Sequence, residues 1–473
     1  MVMGTWSTFR DSRRRRAGGP SAGKFERAQV DLAAAPGRTS GVSQCQRVRV
    51  IAGAPAPELR ALAAALERRL DPWIPVDEAV ERGAEPSALY LVVARASEDA
   101  RAIAQTCASI DEPGPRELVI VHERARGPSK GCAAQRQAAC ARRVHHLRPG
   151  ERRGLAALIR HLRGQSVGLV LNGGGARAFA HIGVIAGLRD AGLEIDAFAG
   201  TSAGAGVAVL AAADFSVEDM TRGLTEAWLD SGVFRSLARA PRRSLLDPEG
   251  LRRCVETWLG ELEFESLERE CFTVATNLRL GVAEILDRGP TADAVLAAAA
   301  IPGLLPPVER EGERFVDGGL VDELPIAAMS ARRPGLVIAS DVRSLARPRA
   351  VGKRAMAALP GPSAKLGASA ELKRRPSRAA LRSEVEPGFF DVLGACARAW
   401  GGRVPAAEQG SAAGVVLRPQ LEGVARVLLG EPQVMVDAGY RCVSEALAAG
   451  QLGALEGALE HERRVVSSLE PWA

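Results

Sequence analysis

The sequence predicts an α/β protein. Three observations carry that prediction. Two strand–turn–helix junctions follow one another between Val167 and Gly204. Apolar strands alternate with helical stretches before them, over about 46–148. Further apolar strands, at 272–276, 283–286 and 337–340, continue the alternation beyond.

The chain begins with a basic segment. Arg13-Arg14-Arg15-Arg16 precedes Ala17-Gly18-Gly19-Pro20 with no hydrophobic period, so 1–45 reads as a disordered basic tail. A solvated tail is the plain interpretation, and a tether to a membrane surface or nucleic acid the sharper one. Val48 to Ala52 is then a strand candidate, and Pro57 opens a helix with Leu59, Leu62, Leu66 and Leu70 on one face. Leu89 to Ala94 and Leu118 to His122 are apolar strands, with a helical stretch from Asp99 to Cys107 between them. With the amphipathic stretch 151–163 (Leu155, Leu158, Ile159 and Leu162 on one stripe), these make a small α/β unit over 46–163. It lacks a complete Gly-rich phosphate loop, which favours a structural or regulatory role over a nucleotide site.

The main domain is expected at 164–343. Ser216 caps one helix, and Asp247-Pro248-Glu249 opens another with Leu251, Val255 and Leu259 inward. Thr291 is expected to cap an Ala-rich helix running to Ile301-Pro302, and 337–340 to be the last buried strand. The segment 344–388 reads as a basic flexible linker: Glu371 is the single acid among many Lys and Arg at 347–382, and its prolines forbid long helices. Its sharper interpretation is attraction to anionic lipid headgroups at a membrane surface. Helices at 389–400 and 437–449 would make 389–473 a C-terminal helical extension packing on the main domain.

Composition bounds the function. At 473 residues the chain can form two or three domains, and 47% hydrophobic content places it among globular proteins. The net charge of +6 sits largely in the two basic segments, so no nucleic-acid partner is expected. Eight cysteines without paired spacing point to reduced thiols and a cytoplasmic protein, and no cofactor or metal motif stands out. No apolar run is long enough to cross a membrane, and the N-terminus lacks the apolar core of a secretory signal.

The chemistry concentrates in the two glycine turns. Gly200-Thr201-Ser202-Ala203-Gly204 has the G-x-S-x-G pattern of a nucleophile elbow, which lifts a serine hydroxyl out at the mouth of a helix. Helix N-termini suit an oxyanion, and Gly173-Gly174-Gly175 offers a second set of donors. A serine needs a base, yet His461, in the charged tail, is the only histidine after Ser202. His181 reads as a packing or hydrogen-bonding group. A carboxylate is the remaining candidate: Asp317 ends a short strand in the tight Gly318-Gly319 turn, which exposes it much as the elbow exposes the serine.

The set GGGAR, GTSAG, AAIPGLLPPV and DGGLVDELP, in this order, resembles the patatin-like phospholipase family. Through LRGQSVGLVLNGGGARAFAHIGV and VATNL it is similar in particular to bacterial relatives of neuropathy target esterase. The strong match covers about 164–342. The resemblance implies a three-layer α/β/α patatin-like domain, preceded here by the small α/β (Rossmann-like) unit. It implies Ser202 as nucleophile and Asp317 as general base, without a metal. Gly173, Gly174, Gly175 and Arg177 would form the oxyanion hole, and Gly200, Gly204, Gly318 and Gly319 would support the motifs. Phospholipid or lysophospholipid esters are the implied substrates. The implied location is the cytoplasm, with a peripheral station at the inner membrane face where the basic linker meets anionic lipid.

The chain departs from the family pattern at three places. Ala178 stands where the loop commonly has glycine, Asn172 where close relatives often have another, and Asp322-Glu323 where a polar, asparagine-rich pair is expected. Two other functions therefore stay open at this level. One is a catalytically weak descendant that binds lipid or regulates. The other is dinucleotide binding, since Gly173-x-Gly175-x-x-Ala178 follows a strand, with Glu194 or Asp196 about 20 residues on.

Overall fold

The computed structural model describes residues 29–33, 47–52, 89–108, 114–124, 130–148, 150–232, 246–333, 335–343, 414–421, 431–450 and 457. The expected helix at Pro57, the linker 344–388 and the expected helix 389–400 lie outside the described residues.

The N-terminal unit is a five-stranded sheet. β1 (Gln29–Ala33) pairs antiparallel with β2 (Arg47–Ala52), and β3 (Leu89–Arg95), β4 (Arg116–Val121) and β5 (Arg143–Leu147) then add in parallel. β1 corrects the expectation that all of 1–45 is tail: the short alternation Val30-Asp31-Leu32 forms an edge strand once β2 offers it a ladder. Two further elements were not anticipated, β5 and the helix α2 (Cys132–Ala139), which follows α1 (Ala100–Ala108). β5 reads Arg-Val-His-His-Leu, a pattern too polar to announce a buried strand. Its strands run in simple sequence order, so this sheet lacks the reversal of order beside which a Rossmann sheet binds its ligand.

α3 (Arg153–Leu162) leads into the main sheet, whose order is β10-β11-β8-β7-β6-β12-β13, with β9 also on β8. These strands are β6 (Ser166–Leu171), β7 (Ala197–Thr201), β8 (Glu270–Asn277), β9 (Val282–Leu286), β10 (Val308–Arg310), β11 (Glu313–Asp317), β12 (Gly335–Ser340) and β13 (Val415–Leu417). From β8 through β7, β6 and β12 to β13 every pairing is parallel. Alternate residues of β6 serve opposite cores, as the two-residue period of a strand requires. Val167, Leu169 and Leu171 face one core, while Val170 joins the other with Met329 and Ile326 of α9 (Ile326–Arg332). The first core is covered by α4 (Phe179–Asp190), α5 (Ala203–Ala212), α6 (Val217–Thr225), α7 (Glu249–Leu259), α8 (Thr291–Ala298) and α10 (Pro432–Ala448). Helices therefore lie on both faces of the sheet, in three layers.

Local chemistry explains where several elements stop. The Ser216 hydroxyl accepts the Asp219 N–H, which caps α6 as expected. Thr291 does not cap α8. It is the first helical residue, and its hydroxyl donates instead to the carbonyls of Leu259 and Leu262 at 3.3 and 3.1 Å, while α8 ends at Ala298. β12 is not the last strand, because β13 adds beside it and makes the C-terminal extension part sheet, part helix. α10 begins earlier than expected, at Pro432, and packs on α4 so closely that glycines face backbone. A side chain on Gly439 would collide with Ala180. Among the described residues, no helix is long and apolar enough to cross a membrane.

Candidate active site

The main sheet changes direction between β6 and β12, since β7 and β8 follow on one side of β6 and β12 and β13 on the other. Loops leaving the carboxyl ends of strands at such a point frame a crevice. The Gly-rich loop leaves β6 there, and the serine turn leaves β7 beside it.

Strand pairing, rather than sequence proximity, brings the serine and the aspartate together. β9 runs along one edge of β8 from Thr273 to Asn277, so β7 and β11 must share the other. On that edge Val274 partners Thr201, the last residue of β7, and the next residue, Ala275, partners Asp317, the last of the antiparallel β11. The two strands end head to head, and residues 115 apart meet: Ser202 Oγ donates to Asp317 Oδ2 at 2.6 Å.

Each partner is held. Ser202 takes φ 56° and ψ −131°, a conformation costing a non-glycine residue about 1–3 kcal/mol, directly before α5. Gly204 is fixed by close approach, since a Cβ there would lie 2.6 Å from the Leu171 carbonyl oxygen, and Gly200 packs against the Gly204 backbone in the same way. Asp317 donates its N–H to Ala300 O (2.9 Å), and its own carbonyl accepts the Thr276 hydroxyl (3.0 Å). The Gly319 N–H donates to Asp317 Oδ1 at 2.8 Å, and a side chain on Gly318 would strike the Val274 carbonyl. The AAIPGLLPPV and VATNL segments thus serve to seat the aspartate.

Burial pushes the Asp317 carboxyl up to about 6. The bonds from Ser202 and Gly319 oppose the rise, and the Glu323 charge adds to it. Glu323 belongs to the unexpected Asp322-Glu323 pair and lies 3.8 Å from the Arg343 guanidinium. Asp322 contributes its backbone carbonyl, which accepts the Thr201 hydroxyl.

The Gly-rich loop stands over the serine. A Cβ on Gly173 would lie 3.0 Å from Ser202 Cβ, so a side chain there would press on the serine. The Gly173 and Gly174 N–H groups donate to no protein acceptor among the described residues, whereas the Arg177 N–H is taken by Gly174 O at 3.2 Å. Gly175 turns the loop with φ 58° into a 3-10 turn that carries Arg177 and Ala178 into α4. Ala178 has φ −61°, so no glycine is needed there and the departure carries no strain.

Asn172 and the end of β12 form a support that the sequence did not announce. The Asn172 amide donates to Asp341 Oδ1 at 2.9 Å, and its Oδ1 accepts the Val342 N–H at 3.0 Å. His181 donates from Nε2 to the Asn172 carbonyl at 3.0 Å, which leaves Nδ1 to accept the Ser340 hydroxyl at 2.8 Å. Burial lowers this imidazole to about 4, so it stays neutral and braces the loop, as its sequence position suggested. The single signal for this support was the polar residue pair Ser340-Asp341 at the end of a buried strand.

An apolar cavity opens at Ser202 between α5, α7, α8 and the π-helical turn Glu226–Asp230 that extends α6. Gly206, Leu210, Leu224, Trp228, Val255 and Leu296 are among its walls, and Ser202 supplies the one hydroxyl in its lining. Four separate helices supply it, so no contiguous sequence pattern reveals it.

Neither a nucleotide nor a cation fits the remaining chemistry. Asp196 is buried and paired with Arg160 at 2.6 Å, and Glu194 pairs with Arg153, so no free acid awaits a ribose. Glu117, His145 and His161 have the spacing of metal ligands, but Arg142 and Arg143 also hold the Glu117 carboxylate, and their charge opposes a dication.

The family model described as Patatin-like phospholipase matches residues 169–330, the stretch that contains the loop, the serine turn and the aspartate turn. Residues 169–330 form a patatin-like phospholipase domain. An uncharacterized NTE family protein of Mycobacterium tuberculosis is 37% identical over 199 residues, 42% of this chain and 34% of that protein. Lysophospholipase NTE1 of Candida glabrata is 35% identical over 191 residues, 40% of this chain and 11% of that protein. The chain thus matches about a third of the mycobacterial relative's length and about a tenth of the yeast one's. VipD from Legionella pneumophila aligns over 60% of this chain and 67% of its own, at 15% identity and a TM-score of 0.33, a likeness too loose to build on. The patatin-like domain is thus placed by its own motifs and by sequence relatives.

Proposed function

We propose that the protein is a serine acyl hydrolase that cleaves carboxylic ester bonds of phospholipids or lysophospholipids through a Ser202–Asp317 dyad. One observation carries this reading: the 2.6 Å bond from Ser202 Oγ to a carboxylate that ends head to head with it along β8. The lysophospholipase name of the yeast relative and the apolar cavity at Ser202 favour a lipid ester.

Ser202 Oγ attacks the ester carbonyl carbon while its proton passes to Asp317 Oδ2. The resulting oxyanion is met by the Gly173 and Gly174 N–H groups and the first turn of α5, where preorganised donors are each worth about 2.7–4 kcal/mol. The carbon–oxygen bond to the alcohol breaks, Asp317 returns the proton to the leaving oxygen, and the acyl group stays on Ser202. A water then attacks the acyl carbon and gives its proton to Asp317; the bond from that carbon to Ser202 Oγ breaks, Asp317 returns the proton to Oγ, and the fatty acid leaves. An aspartate near its ordinary pKa of about 3.9 would be a poor acceptor, so the rise toward 6 suits the role.

Labelling with a fluorophosphonate tests the reading, with hydrolysis of palmitoyl lysophosphatidylcholine beside it. Wild type should label and turn over, and Ser202→Ala should do neither. Turnover that survives in Ser202→Ala overturns the nucleophile.

A further inference from the structure

The cavity follows α5. Ser202, Gly206 and Leu210 are four residues apart and line one stripe of that helix, which spans about 12 Å from 202 to 210. A substituent leaving an acyl carbon on Ser202 and entering the cavity must pass position 206.

Glycine is unfavourable inside a helix relative to alanine, so its presence at 206 asks for a reason. Backbone conformation supplies none, since Gly206 is not among the positive-φ residues. Packing supplies none either. A Cβ at 206 would meet nothing nearer than Val295 Cγ1, at 3.8 Å, an ordinary contact. The neighbouring helix glycines differ: a Cβ on Gly204 would lie 2.5 Å from Asn172 O, and one on Gly187 would lie 2.9 Å from Val443 Cβ. What the bare α-carbon of Gly206 does is leave space beside Ser202. A side chain there would lean toward the helix N-terminus, back over the serine and across the first part of the passage.

We propose that Gly206 is a specificity-determining residue that admits long, unbranched acyl chains to the cavity. The proposal rests on the hydrolase reading above. A side chain at 206 narrows the passage while leaving the dyad and the oxyanion loop in place, so it discriminates by acyl length and not by general activity.

The test uses the full chain carrying Gly206→Ala, Gly206→Leu or Gly206→Phe. Each is assayed for labelling by diisopropyl fluorophosphate, a small probe, and for hydrolysis of p-nitrophenyl acetate and of palmitoyl lysophosphatidylcholine. Labelling and acetate turnover should stay close to wild type in all three. The palmitoyl-to-acetate ratio should fall by about tenfold or more in Gly206→Leu, further in Gly206→Phe, and least in Gly206→Ala. The melting temperature of Gly206→Ala should equal or exceed that of wild type. An unchanged ratio in a labelled Gly206→Leu overturns the proposal. Should that variant fail to fold, an unchanged ratio in Gly206→Ala, which the helix favours, overturns it equally. If wild type neither labels nor cleaves either ester, the hydrolase reading fails instead, and the proposal with it.

Discussion

Two carboxylates, Asp317 and Glu117, are buried to a similar degree and are treated in opposite ways. Glu117 lies on β4 at the seam between the two sheets, and its exposure is 0%. Burial would raise its pKa, but His161 and His145 hold it well below the usual range, with bonds at 2.9 and 2.8 Å, and Arg142 and Arg143 bond its other oxygen. Asp317, 8% exposed, has no ion pair among the described residues and accepts only from a hydroxyl and one amide. The lesson is one of coordination. A buried carboxylate saturated with cations is a fixed anion that fastens structure, and one left short of donors can exchange a proton near neutrality.

The seam around Glu117 continues the first pattern. Arg143 also reaches Glu270 of β8, Arg136 reaches Glu265, and Arg148 reaches Glu268, so the small unit is fastened to the main domain by paired charges. The dyad has none of this and instead carries strain at Ser202.

The comparison breaks first at the dyad. Ser202→Ala should abolish turnover and labelling. Asp317→Asn should cut kcat by about 10²–10⁴-fold with the fold intact by circular dichroism, because only the proton acceptor is lost. A variant Asp317→Asn with wild-type kcat would mean that another group takes the proton.

Glu117→Gln should do the reverse. It removes the anion that the buried Arg143 shares with Glu270 and that the more exposed Arg142 also meets, a loss of up to about 3–5 kcal/mol in urea unfolding. Turnover per folded molecule should hold. An unaffected urea midpoint would show that the seam charges are solvated and that the contrast is overstated.

The pH dependence sharpens the contrast. With Asp317 near 6, kcat/KM should fall about tenfold per pH unit below that value and level off above it. Because Glu323 helps raise Asp317, Glu323→Gln should move that limb to lower pH by a fraction of a unit. The raised folded pKa also means that ionising Asp317 opposes folding. Its stabilising contribution is complete below the unfolded value near 4 and is lost as pH rises through about 6. Asp317→Asn should therefore match wild type at pH 4 and exceed it by of order 1–3 kcal/mol at pH 8. Equal stability at both pH values would place the carboxyl in water.

The smallest effect concerns the loop. Ala178→Gly restores the family's usual residue, yet Ala178 is already helical, so the change should cost up to about 1 kcal/mol and leave kcat unmoved. A gain in kcat would reveal a conformation of the loop that differs from the one described.

Much of the site was legible in the sequence because turns are local. Gly200 answers to the Gly204 backbone four residues on, and although Gly173, Gly204 and Gly318 answer to atoms far along the chain, each demand falls on a single turn position and so leaves a motif. The serine, the aspartate and the alternation of strands and helices were read for the same reason. Strand β1 and the polar strand β5 were missed because a short or polar segment becomes a strand only when a partner offers its ladder.

What tertiary structure alone decided is who stands next to whom. The meeting of Thr201 and Asp317 on consecutive residues of β8 is a fact of register. So is the clamp of Asn172 on Asp341 and Val342, across 169 and 170 residues. The apolar cavity at Ser202 is assembled from four helices, and the opposite fates of Glu117 and Asp317 depend on donors from distant segments. Composition and local pattern specify turns and faces, but the pKa of a carboxylate is set by every charge and dipole within reach, and those are chosen by the fold.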